Sequence, residues 1–208
     1  MGIKERKRRD LEARRRLILT AAKDLFVRRG FARVTLDDIA GAVEFSKGTI
    51  YNHFGSKEEI FASLLLEHLD TLLAYLRDAV RTGRTTAERL RNALRAYLRL
   101  YREHRDHFRL LFFIDVVSDQ ERIPEPLRRE IRLRKIACLV ELQAIIKEGV
   151  RTGEVEGGRP AAQVGMVLWG MLNGVIQLAE SQQVKEEILD RLLGVGFDIT
   201  LAGLKRPA

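Results

Sequence analysis

The segment Thr35–Lys57, TLDDIAGAVEFSKGTIYNHFGSK, has the pattern of two short helices that meet at a tight turn. Thr35 and Ser46 are favourable N-cap residues, so each is expected to begin one helix. Apolar side chains recur at helical spacing in both, and Ile50 and Phe54 lie one turn apart in the second. Because the rest of the second helix is polar or small, it can enter a major groove and donate to phosphates and base edges. The pattern predicts a helix-turn-helix.

This run resembles the DNA-binding module of the TetR family of bacterial one-component repressors. The family pattern is a Thr, an Ile-Ala pair, Ser-x-Gly-x-x-Tyr-x-His/Tyr-Phe and a final Lys-Glu. The matching residues are Thr35, Ile39, Ala40, Ser46, Gly48, Tyr51, His53, Phe54, Lys57 and Glu58. The family usually has Gly in the turn, where this chain has Glu44. If Glu44 adopts a left-handed backbone conformation, we expect a cost of about 1 kcal/mol.

The resemblance is specific over residues 14–60 and implies a set of DNA contacts. We expect Asn52 and Thr49 to read bases, and we expect the cations and hydroxyls around them to hold phosphates. The expected DNA-binding residues are Thr35, Ser46, Lys47, Gly48, Thr49, Tyr51, Asn52, His53 and Lys57.

The positive charge is concentrated beside this motif. Residues 1–57 hold 14 Lys and Arg against 7 Asp and Glu, a net +7, whereas the other 151 residues hold 23 against 22. A phosphate-binding surface requires such an excess. Cys138 is the single cysteine, which excludes an intrachain disulfide and suits a reducing cytoplasm, where we expect the protein to act.

Helical periodicity without strand-like alternation predicts an all-α chain in three parts. Residues 1–9 form a basic arm, expected to be disordered, that either contacts DNA or serves as a solubilising tail. Residues 10–55, with a first helix capped by Asp10, form a three-helix DNA-binding domain. Residues 56–208 form a helical domain for effector binding and dimerisation, entered through a long helix from Ser56 to about Arg81.

Aromatic and polar residues in this second domain predict an effector pocket for an apolar or amphipathic ligand, although each residue could equally be plain core. The expected lining is Leu69, Tyr97, Tyr101, His107, Phe112, Trp169 and Asn173. Fatty acyl chains, aromatic compounds and drug-like molecules all fit this description. We expect His68 to be either a satisfied core residue or part of this pocket.

Two C-terminal segments carry more apolar surface than one subunit can bury. Residues 160–179 contain no charged residue, which fits a membrane span or, as we expect here, a helix buried between its own core and a partner subunit. In residues 185–204, apolar residues repeat at steps of four and three: Ile188, Leu192, Val195, Ile199 and Ala202. The resemblance implies that these last two helices pair across a two-fold axis, so that a homodimer reads a palindromic operator.

The sequence contains no Gly-rich phosphate loop, nucleophile elbow or His-Glu-x-x-His motif, so we expect no enzyme, catalytic residue or cofactor. A cluster of Glu103, His104, Asp106 and His107 could hold part of a metal site, but a polar helix junction explains it better. We therefore expect no metal. The resemblance implies a transcriptional repressor released from DNA by a small effector; the alternative is a DNA-bound structural or interaction protein of the same fold.

Overall fold

A computed structural model describes residues 2–106, 108 and 122–204, which contain helices and no strand. A short 3-10 turn, Phe31–Arg33, follows the first helix. The helices are α1 (Ile3–Arg29), α2 (Leu36–Ala42), α3 (Lys47–Tyr51), α4 (Lys57–Arg81), α5 (Thr86–Glu103), α6 (Glu125–Thr152), α7 (Ala161–Ser181) and α8 (Glu186–Leu204). The expected all-α class is confirmed.

The first helix begins at Ile3 behind Gly2, so the prediction that it begins at Asp10 is wrong. Residues 3–9 are helical rather than disordered. Lys, Arg and Glu are good helix formers, and Glu5 and Arg9 form a pair one turn apart at 3.8 Å. Asp10 therefore lies in the interior of α1.

The chain divides into two compact units. The first comprises Met1–His68 and His104–Arg132, and the second comprises Leu69–Glu103 and Leu133–Ala208. The core of the first unit joins α1, α2 and α3 to the first three turns of α4, whose Ile60, Phe61 and Leu64 are buried in it. This unit thus extends beyond residue 55, where the sequence placed the end of the DNA-binding domain.

The second unit is built from the rest of α4, α5, most of α6, α7 and α8. Leu72 and Leu76 of α4 are buried in it, as are Leu142 and Ile146 of α6. Helix α7 is long and apolar enough to cross a membrane by length and composition, but core helices of soluble proteins pass the same test. One such helix is weak evidence for a membrane span.

Candidate nucleic-acid interface and ligand cavity

A capping box fixes the start of α2. The Thr35 hydroxyl accepts from the Asp38 N–H at 3.1 Å, and the Asp38 carboxylate accepts from the Thr35 N–H at 2.8 Å. The Thr35 hydroxyl also donates to this carboxylate, and these hydrogen bonds with Thr35 lower the pKa of Asp38. Arg29 lies 3.2 Å from the same carboxylate. Thr35 is therefore held in place at the exposed start of α2, where the sequence predicted a phosphate contact.

The turn between α2 and α3 is a Schellman motif. The Phe45 N–H donates to the Ala40 carbonyl at 3.0 Å, and the Glu44 N–H donates to the Gly41 carbonyl at 3.4 Å. Glu44 holds the position where this motif favours glycine, with a φ of 54°. The condition stated for the cost at Glu44, a left-handed backbone conformation, is therefore met.

Ser46 caps α3, and its hydroxyl accepts from the Thr49 N–H at 3.1 Å. Ile50 and Phe54 are buried on the inner side of this segment. The outer side presents hydrogen-bonding groups, and Tyr51 is 58% exposed. The remaining predicted contacts on this side are Lys47, Gly48 and Asn52, which are exposed, and Thr49 and His53, which are half-buried.

The ammonium of Lys47 donates to the Asp37 carboxylate at 2.5 Å, which raises the pKa of Lys47. Asp37 belongs to α2, so the pair links the two helices of the motif on their exposed side. A phosphate that binds Lys47 must compete with this carboxylate.

Lys57 has a different environment from the one its predicted phosphate contact requires. Its ammonium donates to the carbonyls of Phe31, Ala32 and Val34 at 3.0, 3.1 and 3.1 Å. It also lies 4.7 Å from the ring centroid of Phe31. Since an ammonium has three N–H groups, all are engaged by the segment that connects α1 to α2. The geometry favours a stabilising role for Lys57 over a phosphate contact.

Arg15 is a residue of this unit that the sequence reasoning missed. Its guanidinium lies 4.5 Å from the ring centroid of Phe54, three residues beyond the end of α3, and donates to the Ser63 hydroxyl at 3.0 Å. Arg15 thereby ties α1 to the end of α3 and to α4. Nothing local marks it, because its partners lie 39 and 48 residues further along the chain.

The second unit contains an apolar cavity of about 20 Å³, enough for one water molecule. Of the predicted ligand-binding residues, Tyr97 and Trp169 line it, and their rings meet edge to face at 5.8 Å. The other lining residues are Leu76, Leu90, Ala93, Leu94, Leu142, Leu168, Met171, Leu172 and Phe197. As described, the cavity is too small for any of the expected effectors.

Polar groups beside the cavity already have partners. The Tyr97 hydroxyl donates to the Asn173 amide oxygen at 2.7 Å, and the Asn173 amide donates to the Trp169 carbonyl at 2.7 Å. Burial raises the pKa of Tyr97, so its phenol stays neutral. Tyr101 is buried and donates to the Glu180 carboxylate. Neither Asn173 nor Tyr101 lines the cavity.

Leu69 is buried away from the cavity, and its carbonyl lies 3.9 Å from the Cys138 sulfur. Cys138 is buried, and burial raises the pKa of its thiol to about 12. His107 and Phe112, the last two predicted ligand-binding residues, lie outside the described residues.

His68 is buried, with its ring edge to face with Phe108 at 4.7 Å, and it belongs to the first unit rather than to the cavity. Among the described residues, no group of three or more His, Cys, Asp or Glu is placed to hold a metal ion. The Glu103 carboxylate instead accepts from Tyr75 and Arg99.

The apolar surplus predicted for the two C-terminal helices is exposed in this single chain. Helices α7 and α8 pack against each other. The exposed apolar residues are Met166, Val167 and Leu178 on α7 and Ile188, Leu192, Val195 and Ile199 on α8. The four on α8 belong to the repeat of fours and threes, and Ile199 is 68% exposed. We call these seven residues the apolar face.

Two family models match the chain. The model for bacterial regulatory proteins of the tetR family matches residues 18–64, and the model for the tetracyclin repressor-like C-terminal domain matches residues 83–177. Together they cover more than half of the chain. Both describe regulatory proteins rather than enzymes.

The transcriptional activator FasR of Mycolicibacterium smegmatis is 34% identical over 110 residues, which are 53% of this chain and 50% of FasR. The transcriptional repressor KstR2 of Mycobacterium tuberculosis is 33% identical over 105 residues, 50% of this chain and 52% of that protein. The chain thus spans about half the length of these relatives.

A solved structure, the TetR family regulator PfmR of Thermus thermophilus, is 26% identical with a TM-score of 0.72, covering 91% of this chain and 99% of PfmR. The helix-turn-helix geometry, the two family models and this fold agree. The chain belongs to the TetR family of bacterial regulatory proteins.

Proposed function

We propose that the protein is a transcriptional repressor that binds a palindromic operator as a homodimer and is released by a small apolar effector. The DNA-binding part of this proposal rests on the structure of α3. Its inner residues are buried, its start is capped by Ser46, and its outer side presents Lys47, Tyr51 and Asn52 to solvent. A short rigid helix with donors and acceptors on its free side suits the major groove.

The apolar face of α7 and α8 supports the homodimer. An exposed apolar repeat at steps of four and three is the seam through which helices pair. A second copy of the chain offers the same seam, and two-fold pairing of one patch with itself is the commonest form of association. Two copies of α3 related by this two-fold axis would read half-sites roughly 34–36 Å apart.

The cavity supports the effector. Its lining is apolar apart from the Tyr97 phenol and the Trp169 indole, so a ligand that fills it is apolar with at most a small polar group. Because the cavity is about 20 Å³, binding must push its walls apart. Leu76 of α4 is one of those walls, and α4 continues without a break into the DNA-binding unit.

We propose that this displacement of α4 moves α3 and ends DNA binding. The ligand must then bind the released state more tightly than the DNA-bound state, and a coupling of about 1–3 kcal/mol corresponds to a 5–150-fold loss of DNA affinity. Reciprocity requires operator DNA to weaken ligand binding by the same factor. Equal ligand affinity with and without saturating operator would rule out this coupling.

The first experiment is selection of bound fragments from the source genome, followed by titration of the selected operator. Asn52→Ala should relax preference at one position of each half-site by about 1–3 kcal/mol if Asn52 contacts a base through two hydrogen bonds. Lys47→Ala is the matched control, since loss of a phosphate contact weakens all sequences alike. If both variants keep the wild-type sequence preference, the assigned role of Asn52 is wrong.

A second candidate is a DNA-bound structural protein of the same fold that has no effector. The small volume of the cavity favours it, because no ligand fits without rearrangement. Thermal melting in the presence of a panel of apolar compounds distinguishes the two proposed functions. A bound effector raises the melting temperature by mass action, whereas a protein without an effector melts at one temperature throughout.

A further inference from the structure

The first half of α1 contributes no side chain to the hydrophobic core. Residues 4–14 are exposed at every position, and burial begins at Ile18 and Leu19. The DNA-binding family model also begins at residue 18. Residues exposed to this degree bury little surface, so the extension gains little from folding on its own. A binding partner would supply stabilisation that its own chain does not.

Cations lie on every side of this extension, and some of them continue the side that packs on the DNA-binding unit. Positions that follow one another at steps of three or four lie on one side of a helix. One such series is Lys4, Arg8, Leu11, Arg15, Ile18, Ala22 and Phe26. The last three are buried in the core of the DNA-binding unit. The side of α1 that packs on this unit therefore continues, beyond it, through Leu11 to the cations Arg8 and Lys4.

We call Lys4, Lys7 and Arg8 the basic face. Glu5 and Glu12 lie about a quarter-turn from its centre, and they neighbour it at Arg8, from which they are three and four residues away. Glu5 pairs with Arg9 at 3.8 Å, also off this face. Lys4 is three and four residues from Lys7 and Arg8, a spacing at which like charges destabilise a helix. A polyanion on this face would remove that repulsion.

Arg15 shows what lies next to the basic face. It belongs to the same series, two turns further along, and its guanidinium stacks on Phe54, three residues beyond the end of α3. The basic face therefore begins two turns along α1 from a residue that lies beside α3, the helix proposed to enter the major groove. The anion expected along that line is the phosphate backbone that continues past the half-site.

We propose that the basic face binds the phosphates of DNA flanking each half-site and lengthens the footprint of the protein. This inference rests on the proposed DNA-binding function. Residues 4–14 span about 16 Å along the helix axis. At a rise of about 3.4 Å per base pair, this is about five base pairs. Flanking DNA of any sequence serves, since phosphate contacts carry no base information.

The test uses the full chain and the operator found by fragment selection. One variant combines Lys4→Gln, Lys7→Gln and Arg8→Gln, which removes three cations and keeps good helix formers. The matched control combines Arg6→Gln, Arg9→Gln and Arg16→Gln, which removes the same charge from other sides of α1. Each is titrated with a duplex that ends at the half-sites and with one longer by five base pairs at each end.

On the longer duplex, the basic-face variant should lower the slope of log K against log salt by about 2.7, at about 0.9 per lost contact. Raising salt from 50 to 200 mM then costs the wild-type protein about 40-fold more affinity than the variant. The control should keep the wild-type slope. The wild-type protein should bind the longer duplex more tightly, and the basic-face variant should lose that gain.

Equal slopes for the two triple variants, or no gain from flanking DNA in the wild-type protein, would overturn the proposal while leaving operator binding intact. Binding of the basic face to vesicles of anionic lipid, with unchanged DNA titrations, would assign it to a membrane surface instead and also overturn it. A wild-type protein that selects no DNA fragment would refute the proposed function itself.

Discussion

Replacing Glu44 by glycine should stabilise the DNA-binding unit. Glu44 has a φ of 54° at the position of the Schellman motif that favours glycine. A left-handed conformation costs an L-residue about 1–2 kcal/mol. The greater freedom of glycine in the unfolded chain takes back about 0.4–1 kcal/mol. The midpoints of these two ranges leave an expected net gain in the free energy of unfolding of about 0.8 kcal/mol.

The measurement is denaturant unfolding of the wild-type protein, Glu44→Gly and Glu44→Ala. Alanine removes the exposed carboxylate but keeps the Cβ that makes this conformation costly, so Glu44→Ala should show no comparable gain. In a thermal scan of a chain this size, the gain in Glu44→Gly corresponds to about 1–4 °C. Unchanged m-values would show that the native state, not the compactness of the unfolded chain, accounts for the difference.

Gln183 provides an internal comparison. It has a φ of 53° between α7 and α8, and Val184 and Gln183 donate back to the carbonyls of Ala179 and Glu180 in the same motif. Gln183→Gly should give a similar gain in the other unit. If Glu44→Gly is no more stable than Glu44→Ala, backbone strain at this turn is refuted.

Two further substitutions test separate parts of the molecule. Lys57→Met should lower the free energy of unfolding by about 1–3 kcal/mol, because three carbonyls lose a charged donor. It should change the salt slope of DNA binding by much less than the roughly 0.9 expected of a phosphate contact. A slope change of about 0.9 with unaltered stability would contradict the stabilising role of Lys57. Ile199→Asp should shift the sedimentation equilibrium from dimer to monomer with little change in the fold, since Ile199 is 68% exposed in the single chain. Ile199→Leu is the control. If Ile199→Asp remains a dimer, the interface lies elsewhere.

Local features of the DNA-binding unit could be predicted from the sequence. The N-caps at Thr35 and Ser46 and the left-handed turn at Glu44 depend on residues within a few positions of each other. Such interactions act whenever the local backbone forms, so their residue types mark them in the sequence. The apolar face on α8 was predictable for the same reason, since a repeat at helical steps places its members on one side.

Long-range contacts were decided only by the tertiary structure. Lys57 meets carbonyls 23–26 residues earlier in the chain, and Arg15 meets a ring 39 residues later. The start of α1 at Ile3 depends on the balance between helix propensity and fraying, which a capping residue such as Asp10 does not settle. The cavity beside Tyr97 depends on how five helices, α4 to α8, pack together. A sequence specifies which side chains can bond, but their partners are set by the packing of elements distant in the chain.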